Sequence, residues 1–169
     1  MNCALGENNE NLILKIPKIN LGGSSLVRSE SNTVGEMVEE KISVKNGDNT
    51  IESLFTNMGI LNKDKVDLIL KIDVEGYEYE VINGLKNTID WYRPSIIIEY
   101  SPAFYIKNSA TGDRSDIGIK TLQILKDIGY TMKVLDVGMY KNKNYKGDEI
   151  INWCKEFKAE QANLHFFKQ

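Results

Sequence analysis

Two short apolar runs constrain this chain more than anything else in it. Val66-Asp67-Leu68-Ile69-Leu70-Lys71-Ile72 and Ser95-Ile96-Ile97-Ile98-Glu99-Tyr100 are each nearly continuous in apolar residues. Runs of this kind suit strands covered on both faces. Between them, Val81, Ile82, Leu85 and Ile89 recur at the spacing of one helical face. Glu75 and Glu78 precede that stripe, where carboxylates favour the positive end of a helix dipole. Strand, helix, strand predicts two parallel strands joined by a right-handed crossover.

The flanking segments extend the same pattern. Upstream, 12–16 reads as a short strand stopped by Pro17, and Gly22-Gly23-Ser24-Ser25 as a turn. A return strand is expected from 25 to 28, and another strand over 41–44 before the turn signal Asn46-Gly47-Asp48. Ile51, Leu54, Phe55 and Met58 predict a helix, with Asn49 and Glu52 as a capping box and Gly59 as its stop. Downstream, a polar loop over 103–116 leads to a helix carrying Ile119, Leu122, Leu125 and Ile128, ended by Gly129. A third core strand is expected over 131–137, a helix over 149–157, and a final strand at 163–167 that could run antiparallel. Alternating strands and helices predict an α/β fold, a mainly parallel sheet flanked by helices, as one domain over 1–169.

Bulk properties narrow the function. The chain has 169 residues with 41% hydrophobic and 27% charged, enough for a sizeable core and unlike a disordered chain. A net charge of -3 gives no basic surface for nucleic acid. The lysine-rich stretch Lys141 to Lys146 reads as a solvated turn. No apolar run approaches the roughly 18 residues that span a bilayer, and the opening residues lack a signal-peptide pattern. A cytoplasmic protein is expected, with neither nucleic acid nor membrane as partner. Cys3 and Cys154, at opposite ends, read as reduced thiols rather than a disulfide. With His165 the only histidine, inside the terminal strand, a zinc site is not expected.

Ligands of α/β sheets sit beyond the carboxyl ends of the parallel strands. One strand ends in Asp73 and Glu75, the other in Glu99, Tyr100 and Ser101. A carboxylate there could take a proton from a hydroxyl, orient a cationic cofactor, or bind a metal with its neighbours. The bland alternative is that Asp73 caps the next helix and Glu99 pairs with a lysine.

Lys71-Ile72-Asp73-Val74-Glu75-Gly76-Tyr77-Glu78, followed by Val81-Ile82-Asn83-Gly84, resembles the central motif of the FkbM methyltransferase family. Ile97-Ile98-Glu99-Tyr100-Ser101-Pro102 resembles its next strand. Asn2-Cys3-Ala4-Leu5-Gly6 and Gly22-Gly23-Ser24-Ser25-Leu26 resemble earlier signatures, and Asn163-Leu164-His165-Phe166-Phe167 its last strand. The resemblance implies a class I, Rossmann-like methyltransferase fold with strand order 3-2-1-4-5-7-6. It also implies S-adenosylmethionine as cofactor and O-methylation of a sugar or secondary-metabolite hydroxyl. Laid on that order, Asn2 to Leu5 ends strand three, Ile72 strand four and Tyr100 strand five. Asn2, Cys3 and Ala4 would lie by the adenine and Asp73 near the methyl-donor end. Asp73 is the first candidate for contacting cofactor or acceptor hydroxyl, with Glu75 and Glu99 next.

The resemblance also implies a glycine-rich loop after strand one and an acidic residue after strand two. No Gly-x-Gly occurs here. The expectation is therefore a truncated domain that is inactive alone, with strand four as an open, apolar edge prone to self-association. Two other readings stand beside this one. Asp73-Val74-Glu75 could hold a divalent metal in a glycosyltransferase, or the chain could be a non-catalytic fragment or one subunit of a split enzyme.

Overall fold

The computed structural model describes residues 2–19, 21–27, 36–60, 66–101, 116–157 and 161–168. The expected loop at 103–115, Pro102 and Arg28 fall outside them. Along the chain come β1 (Ala4–Gly6), β2 (Glu10–Pro17), β3 (Met37–Asn46), α1 (Gly47–Asn57) and β4 (Ile69–Ile72). There follow α2 (Glu78–Gly84), α3 (Lys86–Tyr92), β5 (Ser95–Tyr100), α4 (Ile117–Ile128) and β6 (Thr131–Val134). β7 (Asn144–Lys146), α5 (Asp148–Glu156) and β8 (Ala162–Phe167) complete the described strands and α-helices.

The expected βαβ unit is present. β4 pairs parallel with β5, Ile69 opposite Ser95 and Ile72 opposite Ile98. The stripe residues Val81, Ile82, Leu85 and Ile89 are all buried. The crossover is two short helices rather than one, broken at Leu85, which ends α2 and caps α3.

The fold is α/β, but the mainly parallel sheet is not what forms. Both sheets are mixed. One has the order β1-β3-β2, the other β4-β5-β8-β6-β7. β8 lies antiparallel between β5 and β6, and β7 is antiparallel to β6. In the three-stranded sheet β1 is parallel to β3 and β2 antiparallel to it. An apolar strand records burial on both faces, and that burial is the same whichever way the neighbouring strand runs. The stretch read as a solvated lysine turn contributes β7, a short edge strand whose ends are exposed.

Local chemistry accounts for most other boundaries. β2 continues through Pro17, which sits opposite Met37 at the end of the ladder. An edge strand tolerates proline because no donor is needed on its outer side. Asn46, not Asn49, caps α1: its side chain accepts from the Asn49 backbone at 2.9 Å. The return strand near Ser25 is a single antiparallel bridge to Lys15.

The core lies on the five-stranded sheet. Ile96, Ile98, Leu122, Leu125, Met132, Val134, Leu164 and Phe166 are fully buried. The three-stranded sheet joins it through glycine. A Cβ on Gly84 would stand 2.0 Å from the Gly6 carbonyl oxygen, so α2 rests on the β1 backbone itself.

Candidate active site

β4 ends at Ile72, and the chain turns before α2 begins at Glu78. The turn is tight: Glu75 has φ 50° and Gly76 φ 96°, both in the left-handed region that L side chains avoid. The Tyr77 amide closes it on the Val74 carbonyl at 3.4 Å. The buried Glu78 carboxylate accepts from the Gly76 amide at 3.1 Å. Residues 73–76 therefore sit at the carboxyl edge of the parallel pair, beside the end of β5.

The parallel register puts Glu99 one position beyond Ile98, the partner of Ile72. Asp73, Glu75 and Glu99 come together there, each offering a carboxylate oxygen within 4.8 Å of the others. Such a set of hard oxygens is one a divalent cation could use, although exposed acids gather in this way without one. Burial pushes the Glu99 carboxyl above its ordinary range, and the nearby Asp73 charge pushes it the same way. Lys71 opposes that shift, and Asp136, at the end of β6, adds to it.

Neither part of the bland alternative describes this turn. The N-terminus of α2 has no side-chain cap. It is Asp73, not Glu99, that pairs with a lysine, Lys71 Nζ lying 2.6 Å from its carboxylate.

A cavity of about 620 Å³ opens beside the turn. Its walls include Asn2, Cys3, Ala4 and Leu5 from β1 and its approach, Ser24 and Ser25 from the turn after β2, and Lys71, Ile72, Asp73 and Val74 from the end of β4. Volumes of this order hold small molecules and cofactors. Asn2, Cys3, Ala4 and Asp73 thus share one space, although they come from two different sheets. Glu75 and Glu99 are not among its lining residues.

Several neighbours escaped the sequence reading as site residues. Tyr77 is buried and lines the cavity, and a Cβ on Gly6 would meet its hydroxyl at 3.0 Å. Asp136 accepts from the backbone of Asn163 at 2.9 Å, and Asn163 is the residue of β8 paired with Glu99. Tyr77 stands inside the central motif without being read as a site residue, and Asp136 reaches the site only through the strand register. Cys154 is buried and shares a hydrogen bond with the Tyr100 hydroxyl at 2.8 Å, and both cysteines are free. His165 lies in β8, with Nε2 2.7 Å from Ser95 Oγ.

Among the described residues no helix is long and apolar enough to cross a membrane. Residues 1–132 match the family model described as the methyltransferase FkbM domain. No curated protein and no solved structure matches the chain.

Proposed function

The chain belongs to the FkbM methyltransferase family, whose domain matches well over half of it, and on that premise we propose that it serves methyl transfer from S-adenosylmethionine to a hydroxyl of a small-molecule or glycan acceptor. One observation carries the reading. The cavity gathers Asn2, Cys3, Ala4 and Asp73 at the carboxyl edge of the parallel pair, with Glu75 and Glu99 beside it. Polar groups along an otherwise apolar wall of Leu5, Leu14, Ile72 and Val74 suit a ligand with a flat heterocycle and a charged end.

The run β4-β5-β8-β6, with β8 reversed, supports a class I fold, since it has the order and reversal of strands 4-5-7-6. In such a fold Asn2, Cys3 and Ala4 would hold the adenine end and Asp73 the sulfonium end. The cofactor supplies an already electrophilic methyl group. The protein's own task is then to align the acceptor oxygen and take up its proton. Asp73, which lines the cavity as Glu75 and Glu99 do not, is the first candidate for that work. Glu99, whose affinity for a proton is raised, is suited to receive one.

Amide shifts in an NMR titration with adenosylmethionine test the cavity. Asn2, Cys3, Ala4 and Asp73 are expected to respond together, and shifts confined to other parts of the chain would remove the assignment. In the active enzyme, Asp73→Asn is expected to slow methyl transfer about 100-fold or more with the melting point unchanged. Unaltered turnover would exclude Asp73 from catalysis. A metal-dependent glycosyltransferase draws on the same three clustered carboxylates, and manganese-dependent binding of a nucleotide sugar would favour it. Family membership weighs against it.

A further inference from the structure

We propose that Ser25 is a positioning residue: it holds the turn at 73–76 in its left-handed bend and so sets where Asp73 stands against Glu99. The inference rests on reading those carboxylates as the working end of the site, and it adds a residue from the turn after β2 to that machinery.

Glu75 is held with φ 50° and Gly76 with φ 96°. A glycine adopts such a backbone freely, whereas a glutamate does so only when its surroundings enforce it. Two buried side chains bear on this bend. Ser25 Oγ donates to the Glu75 carbonyl at 2.7 Å and accepts from the Val27 amide at 3.2 Å. The Ser25 backbone is fastened in turn to β2, with its amide and carbonyl each bonded to Lys15 at 3.0 Å. Ser25 is only 1% exposed, so water does not compete for its hydroxyl. On the other side of the bend, Glu78 receives the Gly76 amide. The peptide between Glu75 and Gly76 is therefore clamped from both ends, by Ser25 on its carbonyl and by Glu78 on its amide.

A clamp on that peptide governs the residues just before it. Asp73 precedes Glu75 by two positions, and its place is what couples it to Glu99. Burial raises the proton affinity of Glu99 most, Asp73 and Asp136 raise it further, and Lys71 lowers it; the Glu75 carboxylate, within 4.8 Å, moves with the same turn as Asp73. Of these, Lys71 and Asp136 lie outside the clamped turn. When Ser25 loses its hydroxyl, the Glu75 carbonyl loses its buried donor and the bend loses the hold that ties it to the segment after β2. The strained backbone then relaxes, carrying Asp73 away from Glu99.

The test reads Glu99 directly. Its side-chain carboxyl carbon is followed by NMR from acid to neutral pH in the full chain, with chelator present to exclude stray cations. The parent should titrate above an ordinary glutamate. Ser25→Ala should bring that midpoint down by about half a unit or more, a roughly threefold change in the ionisation constant. Ser25→Thr, which keeps the hydroxyl, should restore it. Purely structural loosening elsewhere would lower the melting temperature without moving Glu99. If Ser25→Ala does not fold, the isosteric Ser25→Cys, a far poorer donor, is read in the same way. An unchanged Glu99 midpoint in a folded Ala or Cys variant overturns the proposal. Failure of adenosylmethionine to shift the cavity amides would instead remove the methyl-transfer reading, and the Glu99 response to Ser25 would still be read independently of it.

Discussion

Gly84→Ala tests how the two sheets are joined. The new methyl would lie 2.0 Å from the Gly6 carbonyl oxygen, 2.3 Å from its carbon and 2.8 Å from the Glu7 nitrogen. Comfortable heavy-atom separations are about 3.5–4.0 Å, so β1 and α2 must part by more than about 1 Å. All three obstacles are backbone atoms, and no side-chain rotation relieves them. Overpacking costs about 1–3 kcal/mol, occasionally more, and this site belongs at the upper end. Alanine in a helix returns about 1 kcal/mol relative to glycine. The net expected loss is about 2 kcal/mol, or roughly 4–8 °C in melting temperature for a chain of this size. Chemical and thermal unfolding followed by circular dichroism would measure it. Gly129→Ala is the control: its φ is 90° but nothing lies within 4 Å of the new methyl, so only torsional strain of about 1 kcal/mol is expected. The reasoning fails if Gly84→Ala is as stable as the parent, or costs no more than the control.

Three further outcomes follow from the electrostatics and the open edge. Glu99 has a raised folded-state pKa, so its contribution is present at acid pH and is lost as pH rises through that value. Glu99→Gln should therefore be more stable than the parent at pH 7, with the gap closing below the ordinary glutamate range; a constant gap across pH would contradict this. His165 is shifted the other way, first by burial and then by Lys133. Stability should therefore fall as pH drops below the ordinary histidine range, and His165→Gln should blunt that fall in a pH series of melts. Among the described residues β4 ends its sheet, with Ile69 69% exposed, and an apolar open edge invites pairing with another chain. Ile69→Lys should reduce self-association in light scattering, and unchanged association would place the contact elsewhere.

The sequence alone determined the elements whose signals are local. β5 runs over Ser95–Tyr100 as its composition requires, and Gly129 closes α4 in the left-handed conformation that glycine accepts most readily. The acidic residues at the ends of β4 and β5 were legible for the same reason: a strand's end and its next residues are neighbours in the chain. The parallel pairing of β4 with β5 was legible too, from the helix between them; the direction and partners of the other strands were not. Whether β8 lies parallel or antiparallel between β5 and β6 leaves its apolar pattern unchanged, so only the assembled sheet decided it. The β1 segment and Asp73 meet at one cavity because Gly84 lets α2 rest on the backbone of β1. Ser25 reaches Glu75 across fifty residues of sequence. Contacts of that kind belong to no window of the sequence: they arise when separate elements are packed together, and the chain near each partner carries no trace of the other.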